Sequence, residues 1–280
     1  MQDPGILIVI VVYNTSFESS KTFLSMTESV KKFAQKLDLV VYDNNPAGKM
    51  PVADGYGFWN ITYIPDRNNS GVSKAYNVAA GIAADRSKTW LMLLDEDTDF
   101  PVDTIATYAT AIKANPLEEL FAPVMLTSDS KIISPGLFRF MRGFYAKQAK
   151  PGAGSLKGKS LINCGLCIKL DTFKKLGGYN ELIKLDFSDH EFIRRFKEQV
   201  TDGFFLVNLQ VVHGLSTSTR NSYNSDIKRF QYYLEGARYF SRSLAESLMI
   251  NFHVFLRALK LSVLHKNRAF LAKALKSIFK

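Results

Sequence analysis

The chain has 280 residues, 46% of them apolar, which is enough for one large α/β domain with an appendage and leaves little room for disorder. Its formal charge of +10 suits nucleic acid, an anionic membrane surface or a phosphate-bearing small substrate. The basic residues carry no RRM, zinc-finger or helix-turn-helix frame, so nucleic acid is not expected as a partner.

Residues 6–12 form a continuous β-branched and apolar run, the pattern of a strand covered on both faces in a parallel sheet, and Asn14 closes it. This run is much shorter than the roughly 20 residues a bilayer requires, and no basic stretch precedes it, so neither a signal peptide nor a spanning helix is expected. Phe23, Met26, Val30, Phe33 and Leu37 recur at helical spacing, which predicts a helix over residues 19–37. A strand over 39–42 ends in Asp43 and Asn44, and a short strand follows at 61–64. Ser70 is positioned to cap a helix through Val72, Ala75, Ala79 and Ile82. Residues 90–94 give another apolar strand, closed by Asp95, Glu96 and Asp97. Strands alternating with helices imply a parallel sheet covered on both sides.

Beyond this half, a Gly- and Lys-rich segment over 128–159 reads as a loop or irregular hairpin. A strand over 161–169 contains Cys164 and Cys167, the only cysteines. Zinc wants four ligands and a redox pair sits at a helix N-terminus, so these read as buried thiols of a reducing compartment. A short helix over 171–176, a Gly177-Gly178 turn, a helix over 188–198 and a strand over 204–212 ending at His213 complete the pattern.

Three apolar strands thus end in side-chain oxygens, at Asn14, Asp43 and Asp95, and ligands of open α/β sheets bind at those carboxyl ends. In LLDEDTD, Asp95 and Asp97 stand two apart after a buried strand and point the same way. Such paired carboxylates suit Mg2+ or Mn2+ sharing its remaining positions with phosphates, or else simply solvate a loop. His213 would complete a mixed site if the fold returns it to Asp97, and is otherwise structural. Asp186 and Asp189 stand just before or within the start of the 188–198 helix, where Ser188 or Asp189 would serve as a cap, or one of the two carboxylates as a base toward an attacking hydroxyl. Asp66, Arg67, Asn68 and Asn69 precede a helix carrying Lys74, which reads equally as a phosphate site or a capped turn.

Together these blocks resemble glycosyltransferase family 2, and within it most the bacterial rhamnosyltransferase-type members. The resemblance runs over residues 5–215 through IVVYN, VVYDNN, NNSGVSKAYNVAAG, LLDEDTD, GGYNE, LDFSDHEFIRRF and VVHG. It implies a GT-A fold, an α/β architecture with a mostly parallel central sheet flanked by helices. Asn14 and Asp43 would then contact the donor nucleotide, Asp43 holding the pyrimidine. Asn68, Gly71 and Asn77 resemble the block beside the uracil or thymine pocket. Asp95 and Asp97 match the DxD that bridges ribose and diphosphate through Mn2+ or Mg2+, and His213 matches a further metal ligand. Many members carry a Glu-Asp pair before the catalytic helix, whose Asp is the base. Here Asp186-Phe187 stands there, leaving Asp186 or Asp189 for the role, with Asp189 preferred.

The implied activity is inverting transfer of a sugar, rhamnose-like in one form, from a UDP or dTDP donor to a hydroxyl of a glycan or lipid-linked acceptor in surface polysaccharide synthesis. A sugar-phosphate nucleotidyltransferase and a catalytically silent carbohydrate-binding homologue stand as alternatives, although the former lacks its N-terminal Gly-rich loop. The expected domains are residues 1–220, divided into a nucleotide-sugar half (1–125) and an acceptor half (126–220), and a basic helical extension over 221–280. Residues 247–280 hold no acidic residue and seven Lys or Arg, with Phe270, Leu271, Ala274, Leu275 and Ile278 at helical spacing. That helix either lies on an anionic membrane at the cytoplasmic face or packs on protein, its own domain or a second subunit.

Overall fold

A computed structural model of the chain describes residues 4–13, 15–46, 56–214 and 222–278. The first apolar run is β1 (Ile6–Val12), buried at every position, and it leads through a 3-10 turn to α1 (Lys21–Phe33). The helix stops four residues before the expected end because Ala34 takes a left-handed conformation and returns its N–H to the carbonyls of Val30 and Lys31. β2 (Leu37–Asp43), β3 (Trp59–Pro65), α2 (Val72–Asp85) and β4 (Trp90–Asp95) follow. β1 pairs in parallel with β2 and β4, and β2 with β3. The C-terminal ends of all four strands therefore lie along one edge.

β5 (Thr98–Asp99), α3 (Thr104–Ala114), β6 (Leu120–Leu126), β7 (Ile132–Arg139), β8 (Arg142–Ala146), β9 (Gly152–Ser155) and β10 (Lys159–Ser160) come next. Of the two readings of residues 128–159, loop or irregular hairpin, the hairpin is the one found, in β7 and β8 with their shifted register. Phe140 and Met141, both at positive φ, make the turn between β7 and β8, so the hairpin lacks the Asn-Gly or Asp-Gly signal that would announce it. The strand expected over 161–169 shrinks to β11 (Cys167–Lys169), antiparallel to β4 and β6. Residues before it leave the ladder at Gly165, whose positive φ sets its backbone against Pro123. α4 (Leu170–Lys175), α5 (Ser188–Gln199) and β12 (Gly203–His213), parallel to β6, close the α/β part.

Alternate residues of β1 face two apolar layers. Ile6, Ile8, Ile10 and Val12 pack with Phe23, Met26 and Val30 of α1 and Ile105 and Tyr108 of α3. Leu7, Val9 and Val11 pack with Tyr76 and Ala79 of α2, Phe173 of α4 and Phe192 and Phe196 of α5. Burial of a strand on both faces is what its unbroken apolar sequence requires.

A third cluster joins α6 (Tyr223–Phe240), α7 (Leu244–Leu264) and α8 (Ala269–Ile278) to the α/β part through Ile183, Phe138, Met141 and Phe187. Of the two readings of the last helix, packing on the chain's own domain matches most of its stripe: Phe270 and Ala274 are fully buried and Leu271 and Ile278 pack against the same cluster, while Leu275 is exposed. Beside the expectation of no spanning helix, α7 is long and apolar enough to cross a membrane by length and composition alone, a test that the core helix of a soluble protein also passes. Arg257 and Lys260 punctuate it and hide its apolar length. One face of α7 packs through Ile250, Val254 and Ala258, whereas Leu244, Leu248, Phe252 and Val263 are each more than half exposed.

α6 approaches the catalytic half closely because residue 236 has no side chain: a Cβ there would lie 2.4 Å from the Asp186 carbonyl. Alanine gains up to about 1 kcal/mol over glycine in a helix. A backbone clash of this depth outweighs it, and overpacking costs about 1–3 kcal/mol. Gly236→Ala is therefore expected to lower the urea midpoint of unfolding, and an unchanged or higher midpoint would show that α6 is not held at this contact.

Candidate active site

Asp95 ends β4, and the turn after it is fixed by α1. The Thr22 hydroxyl donates to the carbonyls of Asp95 (2.5 Å) and Thr98 (2.9 Å) and accepts from the Thr98 N–H (3.0 Å). β12 then runs antiparallel to β5, pairing His213 with Thr98 and Val212 with Asp99. This ladder brings His213 Nδ1 to 3.2 Å from Asp97 Oδ1 and 2.7 Å from Thr98 Oγ1. Gly214 completes the approach: its N–H donates to the Asp97 carbonyl at 3.0 Å, and a Cβ would stand 2.9 Å from that oxygen.

The electrostatics of this corner are those of crowded acids. Burial pushes Asp97 up to about 6, against the pull of His213 and with the push of Asp95. Burial likewise raises Asp95, opposed by His213 and by the Tyr76 hydroxyl 3.1 Å away, while the charge of Asp189 adds to the rise. Asp97 Oδ1 is buried with no hydrogen-bond partner. A group so buried carries a desolvation penalty that a cation would relieve. Two carboxylates and an imidazole are a fitting donor set for Mn2+ or Mg2+. Asp95, His213 and the Cys164 thiol offer ligand atoms within 4.8 Å of one another. The thiol is already engaged, donating to Thr98 Oγ1 and accepting from the Asp95 N–H, each at 3.2 Å, and burial raises it well above the usual range.

These residues floor a cleft of about 300 Å3 that Tyr13, Asn44, Asn69, Gly71 and Lys184 also line. Its remaining wall is α6, through Ser225, Lys228, Arg229 and Tyr232. Lys228 Nζ lies 3.2 Å from the Tyr13 hydroxyl, and Lys184 sits over the ring of Tyr232. No sequence signal marked Lys228 and Arg229, which read as part of a solvated basic tail.

The other candidates are placed as follows. Asn14 lies outside the described residues. Asp43 is buried beside the cleft, its oxygens accepting from the backbone and side chain of Asn45 and from the Tyr63 hydroxyl, and it is Asn44 that lines the wall. Asn68 is exposed in a loop held by Asp66, and Asn69 takes the place at the cleft. Asn77 is bound to the next motif, accepting from the Tyr179 N–H (2.7 Å) and donating to its carbonyl (2.9 Å). Gly71, not Ser70, caps α2, and at φ +93° it lets the Val72 N–H reach the Lys184 carbonyl. Lys74 pairs with Glu181.

Tyr179 ties α5 to this floor. Its ring packs edge-on against Tyr76 and stacks at 4.2 Å on Phe192, and its hydroxyl donates to Asn163, which donates to Ser188. Neither Ser188 nor Asp189 caps the helix. Asp189 Oδ1 accepts from the His190 N–H at 2.7 Å and remains near enough to Asp95 to perturb it. Asp186 is held 3.5 Å from Arg257 of α7, and its second oxygen is buried without a partner. Phe187, in the position where a carboxylate was sought, has positive φ and packs on Tyr233 and Phe240. Its side chain belongs to the seam with the C-terminal helices.

The model of glycosyl transferase family 2 matches residues 7–147, half of the chain, from β1 through β8. No curated protein sequence matches. Among solved structures, S. aureus TarS superposes with a TM-score of 0.52 at 13% identity, over 90% of this chain and 43% of that one. TarS 1–349 gives 0.52 at 11% identity, over 98% and 89%. Its complex with UDP gives 0.51 at 15%, over 88% and 68%. This chain therefore spans less than half the length of the longest of these, and the likeness is one of fold. The strand-end cleft, its acidic turn and the family match together show that the chain belongs to glycosyltransferase family 2 and has the GT-A fold.

Proposed function

We propose that the chain is an inverting, metal-assisted glycosyltransferase that moves a sugar from a uridine or thymidine diphosphate donor to a hydroxyl of a glycan or lipid-linked saccharide. The observation that carries this reading is Asp97 Oδ1, buried without a hydrogen bond and 3.2 Å from His213 Nδ1, in the turn after β4 at the floor of a cleft edged with cations. Asp95, Asp97 and His213 would hold Mn2+ or Mg2+, which when bound supplies Lewis-acid neutralisation of the departing diphosphate. Lys184, Lys228 and Arg229 add fixed positive charge along the same path. Asn44, Asn69 and Tyr13 offer polar and aromatic groups to the nucleoside, a reading helped by the UDP complex of the TarS relative.

Of the two candidate bases, Asp189 is favoured because its charge reaches Asp95 whereas Asp186 is committed to Arg257. In the proposed step Asp189 takes the proton of the acceptor hydroxyl. That oxygen bonds to the anomeric carbon as the carbon's bond to the diphosphate oxygen breaks on the opposite face.

Incubation with UDP- and dTDP-sugars and Mn2+ is expected to release nucleoside diphosphate. Silence with every donor would favour a non-catalytic homologue, and consumption of nucleoside triphosphate would favour nucleotidyl transfer. Asp97→Asn should lower turnover by about 10²–10³, the scale of losing one preorganised electrostatic contact, and should abolish any tightening of UDP binding by Mn2+. Asp189→Asn should lower turnover by about 10²–10⁴ and spare UDP binding. If Asp186→Asn shows the loss instead, the base is Asp186. Lys228→Gln is expected to weaken UDP binding in calorimetry, and unchanged affinity would remove α6 from the donor site.

A further inference from the structure

A second cavity, of about 830 Å3, opens beside the segment that carries the candidate base. One wall is the turn of the β7–β8 hairpin, the second is Asp186, Phe187 and His190, and the third is formed by α6 and α7. His190 is the neighbour of Asp189, with Nδ1 3.9 Å from its carboxylate, so the cavity reaches the same turn of α5 as the base. Arg229 lines both this cavity and the donor cleft.

The charge here is unbalanced. Arg142, Arg229, Arg257 and Lys260 line the space, against the carboxylates of Asp186 and Asp226. Each carboxylate has a cationic neighbour: one oxygen of Asp186 lies 3.5 Å from Arg257, its other oxygen being buried without a hydrogen bond, and Asp226 accepts from His265 Nε2 at 2.7 Å. Arg142 and Lys260 form no ion pair among the described residues, although each is at the rim of a concave site. Arginine and lysine converging on a cavity with their carboxylates already matched are the donor set that recognises phosphate.

We infer that this cavity is an anion site for the acceptor, where Arg142 and Lys260 hold a phosphate group of a phosphate-bearing saccharide while its hydroxyl reaches Asp189. The inference rests on the transferase reading for the reaction itself, but not for the binding of phosphate. The group's source is either a lipid-linked saccharide or a soluble phosphate-containing glycan. Leu256, Lys260 and Leu264 belong both to the cavity wall and to the exposed side of α7. That side continues through Leu248, Phe252, Phe255, Leu259 and Val263, all exposed. Residues 247–280 contain no acidic residue to repel an anionic headgroup. An apolar face beside a cationic pocket fits a phosphate that sits at the surface of a bilayer.

The test is equilibrium binding to the full chain in EDTA without nucleotide. It uses vesicles of phosphatidylcholine with and without phosphatidic acid in sedimentation, and inorganic pyrophosphate in calorimetry. The doubly substituted Arg142→Gln/Lys260→Gln protein should bind about tenfold or more weakly than the wild type to at least one probe, the scale of losing charge-assisted hydrogen bonds. Loss confined to phosphatidic acid vesicles identifies the lipid-borne source, and loss with pyrophosphate alone identifies the soluble one. Absence of binding to both probes would overturn the inference. So would equal binding by the wild-type and substituted proteins, or an equal loss in the Lys174→Gln/Lys175→Gln control, which removes two exposed cations from α4. Binding of UDP with Mn2+, measured on the same samples, reports on the donor cleft separately, so failure there leaves the phosphate site standing or falling by its own result.

Discussion

Two residue pairs, Thr98 with His213 and Asp99 with Val212, hold the candidate centre together. Without them Asp97 would end a surface turn and His213 would end a distant strand, more than a hundred residues later in the chain. The ladder works because both ends are independently fixed. The Thr22 hydroxyl grips the turn after β4 from one side, and the absent side chain of Gly214 admits the Asp97 carbonyl from the other. The acidic groups are thereby kept buried and close despite their mutual repulsion, a strained arrangement of the kind that structure elsewhere must sustain.

The second organising feature is the seam between the α/β part and the C-terminal helices. Phe187, half-buried, packs on Tyr233 and Phe240, with ring centroids 5.0 and 5.3 Å away. At positive φ, Phe187 starts α5 so that Asp189 Oδ1 accepts from the His190 N–H while Asp186 lies beside Arg257. One backbone conformation thus separates two carboxylates three residues apart into different surroundings.

Much of this was legible in the sequence where a single periodicity dominated. The unbroken apolar runs of β1 and β4 and the alternation with helices announced a parallel sheet in the first half of the chain, and LLDEDTD and VVHG marked strand ends. What was hidden depended on partners remote in the chain. Asn68 and Asn77 both read as ligands in NNSGVSKAYN, yet only the folded neighbourhood reveals that Asn69 lines the cleft and that Tyr179 occupies the amide of Asn77. The β7–β8 turn at Phe140 and Met141 uses residues with no turn propensity, held by Met141 packing against the helical cluster and by His253 Nε2, 2.8 Å from the Phe140 carbonyl. Lys228 and Arg229 were invisible for the opposite reason, because basic residues on an amphipathic helix read as solvent-facing until the helix is docked.

That docking has a consequence for how the chain can be divided. A helix counted as appendage supplies one side of the strand-end cleft, so the α/β part and the C-terminal helices are not interchangeable modules. Grafting a foreign C-terminal region onto the sheet would change the cations along the cleft and the surface turned outward in a single exchange. The lining of the cleft and the outer face of the helices would consequently drift together rather than vary independently.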